Sequence, residues 1–187
     1  MPSINWPWKP PPVSDGVGTA PDALPSYTMT PQAAAVLFPR IGMPVTDPAE
    51  PLWDPNHTDE LAFAFDDTRP EGFLFEFPGP YTDASGYRFH MAIRARTAPS
   101  VDAGVVFRTG YRPRGSNTGW VTATLPSVTI PAGSATWIDV DLGVSPATFP
   151  VPKATHGWLL FWRDPTDAAD DLVGDVHVGR LVIDVFA

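Results

Sequence analysis

The residues best able to do chemistry in this chain are carboxylates crowded between Asp164 and Asp175. Asp164, Asp167, Asp170 and Asp171 share one short stretch, and oxygen atoms gathered that way are what Ca²⁺ takes as ligands. The spacing lacks the order of a helix–loop–helix calcium loop and its closing Glu, so a solvated acidic turn competes with a calcium site. A second group, Asp54, Asn56, Asp59 and Glu60, is looser, and its last members can simply open a strand. The four histidines, His57, His90, His156 and His177, show no two-histidine metal spacing. The chain has no cysteine, which removes thiolate catalysis and zinc–thiolate sites.

Nucleophilic and phosphate chemistry find no motif. There is no Gly-x-Ser-x-Gly elbow and no P-loop, and Gly115-Ser116-Asn117-Thr118-Gly119 joins two predicted strands instead of opening a helix. Glycoside hydrolysis needs two carboxylates facing each other across the scissile bond. Glu76, Asp139 and Asp141 occupy outward strand positions and are the candidates, although an outward acid is ordinarily just solvated. The expectation is a chain that is not an enzyme and uses no cofactor.

Aromatic residues offer a different chemistry. Trp137 is out of phase with Ile138, Val140 and Leu142, and Trp162 is out of phase with its own strand. Exposed indoles can stack on sugar rings, with Asp, Asn or Arg supplying hydrogen bonds. The competing reading buries both indoles under another part of the chain or against a second subunit. Arg88, Arg94 and Arg96 would share one strand face, a local positive patch able to meet an acidic partner or to stand solvated.

These side chains must be held by strands. From residue 58 the pattern has period two: Leu61, Phe63 and Phe65; Phe73, Phe75 and Phe77; Tyr87, Phe89, Met91, Ile93 and Ala95. Further strands are predicted at 103–112, 120–130, 136–142, 157–163 and 176–186, separated by turns such as Pro78-Gly79-Pro80, Pro131-Ala132-Gly133 and Gly174-Asp175. Eight short strands without intervening helices predict an all-β antiparallel sandwich over 58–187, a jelly roll in preference to other sandwiches.

Residues 1–57 read differently. They carry 13 of the 24 prolines and no clean alternation, which predicts an extended arm with one short helix, capped by Thr30 and ended by Pro39. The arm is too apolar to stay in water. Trp6, Trp8, Leu37, Phe38 and Trp53 are its candidate anchors, on its own domain or on a neighbouring subunit. Removing 1–57 is expected to leave a folded domain.

A net charge of −9 and a pI near 4.6 make nucleic acid and anionic membranes poor partners. No apolar run approaches the ~18 residues needed to span a bilayer. Met1-Pro2-Ser3-Ile4-Asn5-Trp6 has no basic region followed by an apolar stretch, so no signal peptide is expected, and synthesis in a reducing cytoplasm is.

The last third carries a resemblance. Ile130-Pro131-Ala132-Gly133-Ser134 is followed by Trp137-Ile138-Asp139-Val140-Asp141-Leu142, then by Trp158-Leu159-Leu160-Phe161-Trp162-Arg163-Asp164. Gly174-Asp175-Val176-His177-Val178 and Leu181-Val182-Ile183-Asp184-Val185-Phe186 complete the order. Over residues 119–187 this resembles small jelly-roll structural proteins of tailed bacteriophages, departing from them where Asp170-Asp171 stands in place of Asp-Thr. The resemblance implies a virion protein made in the host cytoplasm, a homo-oligomer bound to other virion proteins. Capsid decoration is the favoured role, with the arm gripping neighbouring subunits. The alternative is a tail or baseplate accessory, or a receptor-recognition domain that binds a glycan.

Overall fold

The structure, a computed structural model, describes residues 26–29, 44–45, 47–53, 61–77, 86–113, 115, 119–144 and 157–186. Thirteen strands lie among them: β1 (Ser26–Met29), β2 (Asp47–Pro48), β3 (Glu50–Trp53), β4 (Leu61–Phe65), β5 (Glu71–Phe77), β6 (Gly86–Ala95), β7 (Ala103–Val105), β8 (Phe107–Pro113), β9 (Val121–Thr124), β10 (Val128–Ile130), β11 (Ile138–Val144), β12 (Gly157–Arg163) and β13 (Val176–Phe186). No helix occurs among the described residues. The helix expected after Thr30 lies outside them, as do Trp6, Trp8, Leu37 and Phe38.

The strands form two sheets and a small ribbon. Sheet A has the order β11-β6-β13-β4-β3, with β1 also paired to β13; sheet B has the order β2-β5-β12-β8-β9; β7 and β10 make the ribbon. The eight strands β4, β5, β6, β8, β9, β11, β12 and β13 fall four to each sheet. The chain passes between the sheets at nearly every step, and the last strand sits inside sheet A between the first and the third. That is a jelly roll.

Alternation explains the core. Phe89, Met91, Ile93 and Ala95 on β6 are buried, and so are Leu159 and Phe161 on β12 and Val176, Val178, Leu181 and Ile183 on β13. Six phenylalanines join the two sheets through this layer. Phe63 stacks on Phe73 at 4.4 Å between ring centroids, Phe107 on Phe161 at 5.0 Å, and Phe65 meets Phe161 edge-on at 6.1 Å. Such pairs add about 0.5–1.5 kcal/mol each beyond the apolar area they bury. The stretches expected as single strands at 103–112 and 120–130 are each broken in two. Val106 and Leu125 are buried at the breaks, and the broken-off ends pair with each other as β7 and β10.

The segment 44–53 straps the sandwich. Its β2 pairs parallel with β5 in sheet B, and the Ala49 amide donates to the Gly72 carbonyl at 2.7 Å. Immediately afterwards β3 pairs antiparallel with β4 in sheet A. Ala49 belongs to the principal core and Val45 packs on the outer face of sheet B. Cutting the chain at 57/58 therefore removes core, and the expectation that 58–187 fold unaided lacks the contacts these residues make. Trp53, expected as an anchor, is the last residue of β3.

Candidate functional site

Three regions carry the side chains that the sequence singles out: the loop after β12, the outer face of sheet A and the outer face of sheet B.

The loop between β12 and β13 is organised around Arg163, which has no exposed surface. Its Nε donates to Asp170 at 3.0 Å and its Nη2 to the same carboxylate at 2.7 Å. The remaining donors reach the carbonyls of Leu172 at 2.7 Å and Gly174 at 2.8 Å. Asp170 also accepts from the Val106 amide, and Asp171 from the Gly104 amide. Asp164 accepts from the amide and hydroxyl of Thr166 and pairs with Arg108 Nε at 2.8 Å, while Asp167 accepts from the Ala169 amide. The calcium set weighed above, Asp164, Asp167, Asp170 and Asp171, does not converge on one point: Asp164 and Asp167 both face Arg108, Asp170 faces Arg163, and Asp171 faces the Gly104 amide. Among the described residues, no group of three His, Cys, Asp or Glu side chains is placed to hold a metal ion. The loop is a brace that fastens β12 and β13 to β7. Sequence reading missed Arg163 as its centre. The available signal was an arginine closing an otherwise apolar strand directly before an acidic run.

The outer face of sheet A is polar and largely self-neutralised. His90 lies between two carboxylates, with Nε2 2.7 Å from Asp184 and Nδ1 3.8 Å from Asp141. Arg88 pairs with Asp141 at 3.3 Å, and Arg96 with Asp175 at 2.7 Å. The positive patch expected of Arg88, Arg94 and Arg96 is thus interleaved with acids. Arg94 sits over the Trp137 ring, 5.2 Å from its centroid, so a guanidinium covers one face of that indole. Arg94 also donates from Nε and Nη2 to His177 Nδ1, both at 3.3 Å, which puts the imidazole proton on Nε2. His177 is buried and its Nε2 has no hydrogen-bond partner. Burial, and then the Arg94 charge, pull its pKa down to about 4. The position is outward, but the side chain is covered.

The outer face of sheet B is aromatic. Trp162 is buried with Leu74, Leu160 and Val45, and the half-buried Trp120 and Trp158 pack against this cluster. Register arranges these side chains in rows. Trp158 on β12 is opposite Arg112 on β8, and Trp120, directly before β9, extends that row on the far side of Arg112. The next row is Leu160, Gly110 and Thr122. Gly110 matters because it has no side chain. A Cβ there would lie 3.4 Å from both Trp120 Cε3 and Trp162 Cζ3, so both indoles lean over the glycine. Thr122 and Thr124 are exposed beside them.

The proposed sugar-stacking pair, Trp137 and Trp162, is therefore split. Trp137 is on sheet A beneath a guanidinium, and Trp162 is on sheet B and buried. The carboxylates weighed for hydrolysis are split in the same way. Asp139 and Asp141 are in β11 of sheet A, whereas Glu76 is in β5 of sheet B, opposite Trp158. They do not flank one bond. The row that the structure brings together is Trp158, Arg112 and Trp120.

No family model and no curated protein matches the chain. Its structure is similar to the CBM22-2 xylan-binding domain of Paenibacillus barcinonensis Xyn10C, with a TM-score of 0.44 and 11% identity over 70% of this chain and 81% of that one. It is also similar to the family 11 carbohydrate-binding module of Clostridium thermocellum, with a TM-score of 0.41 and 10% identity over 91% of each chain. A third is the enzymatically active domain of tailspike protein 4 from bacteriophage CBA120, with a TM-score of 0.39 and 11% identity over 90% of this chain and 18% of that one. At these levels, likeness says nothing about a ligand.

Proposed function

We propose that this chain is a non-catalytic, carbohydrate-binding jelly roll whose ligand lies on the outer face of sheet B. The observation that carries the reading is the row Trp158–Arg112–Trp120. Trp158 is in β12 and Trp120 directly precedes β9, on either side of β8, which sets their backbones about 10 Å apart at the usual strand spacing. A glycan chain spans such a gap. Each pyranose presents a C–H face to a ring, and its hydroxyls reach the Arg112 guanidinium and the exposed Thr122 and Thr124. The net charge of −9 repels polyanions at long range, which favours an uncharged polysaccharide.

Isothermal titration against neutral oligosaccharides from xylan, mixed-linkage glucan and galactan tests this reading. One class is expected to bind, Trp120→Ala and Trp158→Ala are each expected to weaken it at least tenfold, and Arg88→Ala on sheet A is expected to leave it unchanged. Absence of binding across neutral and acidic panels sinks the proposal. Release of reducing ends from the bound glycan would sink its non-catalytic half.

A second reading, resting on the resemblance over residues 119–187, is a structural subunit of a phage virion acting as capsid decoration or as a tail accessory. Antibody labelling of particles from cells expressing the chain separates these roles. Label on the head supports decoration, label on the tail supports an accessory or receptor-binding part, and unlabelled particles refute both.

A further inference from the structure

The edge of β13 is filled in two pieces. β4 pairs only with Val176, His177 and Val178, the pairing with β6 is irregular between Val178 and Leu181, and β1 pairs with Leu181 to Asp184 on the side that β4 has left. The four residues of β1 therefore fill a slot along β13, in line with β4, and β13 is the one strand they pair with among the described residues. They come from a distant, proline-rich part of the chain, not from a neighbouring hairpin.

We infer that this slot is an exchange site that takes β1 from a second copy of the same chain. The backbone pairing is identical whichever copy supplies the strand, which is the condition for exchange at little cost. Between β1 and the buried Val45 lie residues 30–44, fifteen in all, which extend to roughly 50 Å at most, enough to reach an adjacent molecule. An empty slot would expose the amides and carbonyls of β13 between Leu181 and Asp184, a template for strand addition. Exchange fills the slot in both partners, or in a ring or row of them. Thr28 pairs with Val182, so it marks the register that an incoming strand must adopt.

The chain has no cysteine, which makes the test clean. Thr28→Cys and Val182→Cys are made separately in the full-length chain, one copy is tagged, and the two are mixed, partly unfolded, refolded and oxidised. Exchange predicts a mixed disulfide dimer at twice the 20.2 kDa chain mass, containing one copy of each variant. It also predicts multimers of the unsubstituted chain by light scattering, reduced to monomer by Thr28→Pro, which removes a backbone donor from β1. Two results together overturn the inference: the doubly substituted chain closes its disulfide entirely within one molecule, and the mixed single variants stay uncrosslinked at every concentration.

Discussion

Replacing Asp170 with Asn keeps the shape of the brace between β12 and β13 and removes its charge. Arg163 has no exposed surface, and Asp170 is the carboxylate it holds, through contacts of 3.0 and 2.7 Å. In the variant an amide group faces the guanidinium, so at least one acceptor is lost and a buried cation loses its counter-charge. Breaking a buried pair from one side costs about 3–5 kcal/mol. For a chain of this length that corresponds to a fall in Tm of roughly 6–20 °C. Urea unfolding followed by tryptophan fluorescence reads the change as a lower midpoint at constant slope. The double variant Arg163→Met with Asp170→Leu removes both charges and is expected to recover part of the loss, since the carbonyls of Leu172 and Gly174 and the Val106 amide then lose their partners. A loss below about 1 kcal/mol for Asp170→Asn, or a double variant no better than the single one, refutes the claim that this pair organises the loop. Excess Ca²⁺ is expected to leave the wild-type midpoint unchanged, because Arg108, Arg163 and the Gly104 amide already engage these carboxylates. A rise would show that the loop takes the ion after all.

His177 gives a pH signature. Its folded pKa, about 4, lies below the ordinary value of 6.5, so the unfolded chain binds the proton more readily. The stability it supports is complete above pH 6.5 and falls by about 3 kcal/mol as pH drops toward 4. His177→Gln should flatten that part of the stability-against-pH curve, and parallel curves for the two proteins would rule the assignment out. Gly157→Ala is expected to lower stability by about 1–3 kcal/mol, since a Cβ there overlaps the ring of the fully buried Tyr111; an unchanged midpoint would contradict this. Trp162→Ala should cost about 3–5 kcal/mol in denaturant titration, against clearly less for Trp120→Ala or Trp158→Ala. Equal losses at all three would deny the split between a buried foundation and a half-buried row.

Period-two patterning made the inward layer legible. Phe89, Met91, Ile93 and Ala95 face inward because every second residue must, and that needs no partner strand to be known. The outward positions were less legible because alternation says which way a side chain points and not what lies over it. His177 and Trp162 point outward and are buried all the same, the latter beneath Val45 from a segment more than a hundred residues earlier. The row Trp158–Arg112–Trp120 was hidden for another reason. It exists only in the register of β8 with β12 and β9: Trp120 follows Arg112 by eight positions, but Trp158 lies forty-six positions beyond it. Trp137 and Trp162 looked equivalent in sequence, yet the two sheets take one each.

Strand exchange and glycan binding use different sheets, and that separation has a measurable consequence. The slot on β13 is in sheet A, and the row of indoles is on the outer face of sheet B. A second copy joined through β1 therefore adds a second platform without covering the first. Linking two weak sites strengthens attachment to a long polymer by about 10²–10⁴-fold, and leaves a ligand that fills only one site unaffected. The dimer crosslinked through Thr28→Cys and Val182→Cys is accordingly expected to cling to immobilised polysaccharide far longer than the Thr28→Pro monomer. A short oligosaccharide should titrate identically into both forms. If the crosslinked dimer binds the short oligosaccharide more weakly than the monomer, exchange buries the platform, and the two proposals cannot both hold for one molecule.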